Sequence, residues 1–112
     1  MEKNNDCIFC KIAQHETPAD VVFENDNYIA FRDIKPEAPT HVLVIPKTHI
    51  EKMSDLKDER DEELVGLWKA VLEVVHKLGI SDNAKLVVNN GRAAGQIVDH
   101  VHVHVLSQAK TE

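Results

Sequence analysis

The sequence is poor in several features that would each announce a class of protein. No apolar run approaches the ~20 residues that cross a bilayer, so a membrane span is not expected. Only two cysteines occur in 112 residues, which excludes the disulfide framework of a small secreted scaffold. Basic residues are in deficit, 13 against 19 acids for a formal charge of −6, and this argues against binding a nucleic-acid backbone. Much of that imbalance is local, since residues 51–63 hold seven acids against three bases. Carboxylates so grouped suit the start of a helix, where they meet the positive end of its dipole. There is no internal repeat and no low-complexity stretch. The first six residues, Met-Glu-Lys-Asn-Asn-Asp, lack the basic-then-apolar pattern of an export signal, and a cytoplasmic location is expected.

What is present is ordinary for a globular protein, 43% hydrophobic and 29% charged residues. The length suits a single domain over 1–112, with its core expected over about 7–106. Val21 to Glu24 and Tyr28 to Arg32 flank an Asn25-Asp26-Asn27 turn and read as a hairpin. Pro36 and Pro39 punctuate a loop, and residues 41–45 form a third β-branched run closed by Pro46. Over residues 58–78 the period changes: Leu64, Leu67, Trp68, Val71, Val75 and Leu78 recur at helical steps, with Gly79 placed for a left-handed cap. Residues 86–88 read as a fourth strand and 90–95 as a loop. A fifth strand is expected from about His100 to Leu106. The fold class is therefore α+β: a five-stranded, mostly antiparallel sheet with one long helix and a short N-terminal helix.

The last strand is the most informative segment. Alternation places His100, His102 and His104 on one face and Val101, Val103 and Val105 on the other, where they can pack under the helix. Imidazoles titrate near physiological pH, which suits both catalysis and metal binding. His100 and His104 lie about 13 Å apart on an extended strand, too far to share one ion through bonds of about 2.0–2.1 Å. A metal would take one of them with ligands from elsewhere. Alternatively one histidine is a nucleophile or general base flanked by helpers, or the face is merely polar.

The His-x-His-x-His pattern, preceded by Gly95-Gln96, resembles the histidine-triad (HIT) nucleotide-binding proteins. The run from Phe31 through Asp33, Pro36, Pro39 and His41 to Lys47 is similar to their Hint branch in order and spacing, as are Ile8, Phe9 and Asn89. The resemblance extends from about Cys7 to Leu106. It implies a HIT-like fold and a nucleotide-binding hydrolase or transferase acting on purine nucleoside phosphoramidates or related AMP- or GMP-type substrates. His102 would be the nucleophile, forming a nucleotidyl-histidine that water later hydrolyses. His104 would sit at the phosphate and leaving group as proton donor or charge stabiliser, with His41 and His100 orienting the nucleophile. Asp33 would accept from the ribose hydroxyls. Ile8, Phe9, Phe31 and Ile34 would line the base pocket, with Asn89, Gly95 and Gln96 beside the phosphate. Ile97 stands where many relatives carry Ser or Thr, so only its backbone N–H is available there. A homodimer is the family's usual state.

Cys7-Ile8-Phe9-Cys10 has no strand before it, which disfavours a redox centre. Zinc fits better, because thiolate pairs at this spacing form half of many four-ligand sites. Relatives in the wider superfamily imply the set Cys7, Cys10, His49 and His100 as a closed structural zinc site, the other reading being two buried thiols and an exposed His49. Three functions stand at this point: an enzyme working through His102, a nucleotide-binding regulatory module with incidental catalysis, and a small structural zinc protein. No organic cofactor is implied.

Overall fold

The computed structural model describes residues 6–110. A short helix, α1 (Ile8–Ala13), leads into the strands β1 (Val21–Glu24), β2 (Tyr28–Arg32) and β3 (Thr40–Pro46). The long helix α2 (Asp61–Lys77) then crosses to β4 (Lys85–Val87), and β5 (Val103–Ser107) ends the fold. The five strands lie in the order β1-β2-β3-β5-β4, every neighbouring pair antiparallel. This is the α+β architecture expected from the sequence. Among the described residues, no helix is long and apolar enough to cross a membrane.

Residue parity decides which side of the sheet each strand residue serves. Ala30, Val42, Val44, Val103 and Val105 pack beneath α2 with its Leu67, Val71 and Val74. Their neighbours Ile29, Phe31, Leu43 and Ile45 pack on the other side against Phe9, Cys10 and Ile12 of α1. The α2 face is closed by a helix of 17 residues, whereas α1 has only six. A six-residue helix is ~9 Å long and covers only part of a sheet face. The uncovered part carries His104, and His102 stands just before it.

Several boundaries differ from the sequence expectation. The long helix begins at Asp61, not 58, because Glu59 and Arg60 are extended and separate it from a 3-10 turn over Met53–Asp58. Asp61, Glu62 and Glu63 occupy its first turn, and Gly79 follows it at φ +73°. Leu64 is 43% exposed, so it does not belong to the helix's buried stripe. The last strand starts at Val103 and not at His100. Its partner β3 ends in Pro46, which has no N–H for a continued ladder. The chain bends instead, with Val101 N donating to Ile50 O at 2.7 Å and His100 N to Val98 O at 2.9 Å.

Tyr28 ties β2 to the start of α2: its hydroxyl donates to Glu63 O at 3.0 Å and Glu63 Oε2 at 2.9 Å. Gly66 lies against that ring, and a Cβ there would overlap it, standing 2.8 Å from Cε2. Alanine in place of helical glycine gains up to ~1 kcal/mol of propensity, while overpacking costs about 1–3 kcal/mol. We expect Gly66→Ala to lower stability by about 1 kcal/mol in urea unfolding. A gain would show that the ring yields freely.

Candidate active site

β3 and β5 bring the histidines together because they pair in register, with Leu43 opposite His104 and His41 opposite Leu106. His102 Nδ1 donates to His100 O at 2.8 Å. A neutral imidazole carries one ring proton, so that bond leaves the lone pair on Nε2. No buried side-chain polar atom among the described residues lacks a partner, and Nε2 makes no hydrogen bond, so Nε2 faces solvent. Burial lowers the affinity of His102 for a second proton, while the His100 carbonyl bond and the Asp33 charge oppose it; the lowering prevails. The ring is therefore neutral near pH 7 and has a free lone pair. Phe9 holds its flank edge-on, with ring centroids 5.2 Å apart.

A second pair of rings is ordered by the backbone. Glu37 N donates to His41 Nδ1 at 3.1 Å, so the His41 proton is on Nε2. That Nε2 lies 3.0 Å from His104 Nδ1, which must accept, and the remaining His104 proton is then on Nε2. Asp33 Oδ2 is 3.5 Å from the same His41 nitrogen. Asp33, His41 and His104 could be grouped as metal ligands by distance alone. The Glu37 N–H argues otherwise, because it commits His41 to present a proton and not a lone pair. Burial, followed by the neighbouring His102 and His41, lowers His104; Asp33 and Glu37 pull the other way without reversing it.

A cavity of about 480 Å³ opens in front of these rings. Its floor includes buried Phe9 and Phe31 together with His102 and His104. Its rim carries Asp33 and three exposed isoleucines: Ile8 at 43%, Ile97 at 83% and Ile34 at 92%. Exposed apolar side chains gathered around one opening mark a place where an apolar face binds. Ile12 and Leu43 also line it, and periodicity could have found both: Ile12 is one helical turn beyond Ile8, and Leu43 is two strand residues beyond His41.

Asn89, Gly95 and Gln96 stand outside this lining. The Gln96 amide is buried in its own loop, where Nε2 donates to Glu51 O at 2.6 Å and Val98 O at 2.9 Å, and Oε1 accepts from Gly91 N at 2.7 Å. Gly95 has φ +98°, a conformation that side chains rarely adopt, and the Asn89 amide lies against it. The three residues shape the loop that presents Ile97 and Val98.

Behind the histidines, Cys7, Cys10, His49 and His100 bring their ligand atoms within 4.8 Å of one another, a grouping that could hold a metal ion. Cys7 Sγ is 3.3 Å and Cys10 Sγ 3.6 Å from His100 Nδ1, and Cys10 Sγ is 3.3 Å from His49 Nδ1. His100 Nε2 donates to Pro46 O at 2.8 Å, which turns its lone pair on Nδ1 toward the sulfurs. Burial pushes His100 down to about 4, with the Pro46 carbonyl opposing and His49 and His102 adding to it. The two residues between the cysteines, Ile8 and Phe9, are walls of the cavity in front.

The proton positions are directly measurable. In nitrogen-detected imidazole spectra at neutral pH we expect His102 as the Nδ1–H tautomer and His41 and His104 as Nε2–H tautomers. His104 should take a second proton only below its ordinary value of 6.5. An Nε2–H tautomer at His102 would contradict the assignment.

Comparison with known proteins agrees with this geometry. The HIT domain family matches residues 14–111. An uncharacterized HIT-like protein of Methanocaldococcus jannaschii is 45% identical over 100 residues, which are 89% of this chain and 77% of that protein. The crystal structure of a HIT family hydrolase from Legionella pneumophila is 45% identical with a TM-score of 0.86, over 93% of this chain and 94% of that one. A histidine triad nucleotide-binding protein from Candida albicans is 37% identical in its crystal structure with a TM-score of 0.79, over 88% and 72% of the two chains. On its sequence, its fold and the histidines aligned behind one cavity, this chain belongs to the HIT domain family.

Proposed function

We propose that the protein hydrolyses purine nucleoside phosphoramidates, or closely related nucleotidyl substrates, through a covalent nucleotidyl-His102. The observation that carries this reading is the His102 ring, fixed through Nδ1 on a main-chain carbonyl, with a neutral Nε2 left free at the floor of a cavity. The hydrolase and nucleotide-binding names of the two solved relatives point the same way. A purine is a flat apolar face with polar edges, which fits between the exposed isoleucines and the Phe9 and Phe31 floor. Asp33, whose Oδ1 already accepts from Lys35 N at 2.8 Å, is held on the rim to take hydrogen bonds from ribose hydroxyls.

His102 Nε2 attacks the α-phosphorus in line with the leaving nitrogen. That nitrogen takes a proton from solvent, the P–N bond breaks as the Nε2–P bond forms, and a neutral amine departs with the bonding pair. Water then attacks phosphorus and loses a proton to solvent. The Nε2 electron pair returns to the ring, releasing the nucleotide and restoring neutral His102. His104 serves this sequence by donating its Nε2–H to the phosphoryl group. It is a poor proton source, because Nδ1 already accepts from His41 and loss of the other proton would leave an anionic ring. It stabilises charge that builds on the phosphoryl oxygens.

Zinc is the ion we assign to the rear cluster. With Zn–S about 2.3 Å and Zn–N about 2.0–2.1 Å, tetrahedral geometry sets neighbouring S and N atoms ~3.5 Å apart. The observed separations are 3.3, 3.3 and 3.6 Å. A bound ion would fix His100, whose carbonyl sets the His102 tautomer. The same reading gives a cytoplasmic protein and a homodimer. Exposed Leu64, Val65 and Leu72 on α2 support an apolar contact surface.

Two experiments follow. Incubation with an adenosine phosphoramidate and a mildly basic quench should add one adenylyl mass to the wild type. His102→Ala should give no adduct and lose on the order of 10⁴-fold in kcat or more. An adduct on the variant would refute the nucleophile. Purified wild type should hold one zinc per chain, and Cys10→Ser should lose it with a fall of about 10 °C or more in Tm, ~2 kcal/mol for a domain of this size. Unchanged zinc stoichiometry would remove the ion from this site.

A further inference from the structure

A second and larger cavity, of about 670 Å³, lies beyond His104 and has no part in the scheme above. The two cavities follow one another along a single face of β5. His104 lines the first, and Leu106, two residues on and therefore on the same face, lines the second. Lys85 of β4 pairs with Leu106 and shares that face. Among the described residues, Glu37 alone lines both cavities. Its backbone N–H orders His41, and its position marks the passage from one cavity to the other.

This inference rests on the hydrolase reading and extends it to the leaving group. With the base between the isoleucines and phosphorus at His102, a leaving group near His104 has its onward path past Glu37 and over Leu106. Among the described residues, the charged groups lining the second cavity are Glu37, Asp82 and Lys85, two carboxylates against one ammonium. An extended anionic leaving group, such as a second nucleotide, would meet net repulsion there. We propose that the second cavity is a leaving-group subsite in which Glu37 selects substrates whose departing amine carries a cationic end. Phosphoramidates of diamines, or of amines with a distal ammonium, are the class that fits. Asp82 adds to the attraction from the far wall.

Glu37 is solvent-exposed, so its attraction is moderate and screened by salt. The test compares two adenosine phosphoramidates of equal chain length, one with an alkylamine leaving group ending in methyl and one ending in ammonium. Wild type should favour the ammonium substrate by about three- to fivefold in kcat/KM at low salt, and less at high salt. Glu37→Gln should bring the ratio close to one, and Glu37→Lys should push it below one. Any effect of these changes on His104 falls on both substrates and cancels in the ratio. A wild-type ratio of one, or a ratio that Glu37→Gln leaves unmoved, overturns the subsite while leaving the hydrolase reading intact. Failure of both substrates to label His102 defeats the hydrolase reading and the subsite together.

Discussion

One hydrogen bond orders everything around it: His102 Nδ1 to the carbonyl of His100, 2.8 Å long. It fixes which nitrogen carries the proton, and so which one keeps its lone pair. It exists because the chain turns between Val98 and His102 instead of continuing the β5 ladder, a turn forced by Pro46 on the facing strand. Backbone geometry, not a neighbouring carboxylate, thus sets the tautomer of His102. The same device recurs on the other side of the site, where a main-chain N–H from Glu37 dictates the protons of His41 and His104.

The cysteine–histidine cluster gains its meaning from that bond. His100 points its ring at the two sulfurs and its carbonyl at the His102 ring, so an ion held by the ring would steady the group that orients His102. Cys7 and Cys10 bracket Ile8 and Phe9, two walls of the cavity in front of the histidines, so a single four-residue segment shapes both the cavity and the cluster. Loss of the ion would loosen the frame first and the chemistry through it. Asymmetric coverage of the sheet completes the arrangement: α2 closes one face, and the shortness of α1 leaves the other open where His102 and His104 emerge.

Much of this was legible in the sequence because it depends on parity and period. Alternation alone assigned Val101, Val103 and Val105 to the α2 face and the histidines to the opposite side. The apolar steps Leu67, Val71 and Val75 located the long helix. Pattern does not encode where a ladder stops, which is why His100 and His102 were expected inside a strand that begins at Val103. Nor does it encode backbone partners, so the roles of Glu37 N and of the His100 carbonyl had no signal in residue types. Gln96 shows the same limit, since residue type does not encode that its amide makes three hydrogen bonds within its own loop.

The central claim is that an imidazole takes the nucleotidyl group before water does. Two successive in-line displacements at one phosphorus restore its original handedness, whereas direct attack by water inverts it once. Hydrolysis of an adenosine phosphoramidate made chiral at phosphorus, carried out in isotopically labelled water, therefore decides the matter. Net retention is the result expected here, and net inversion would contradict the account.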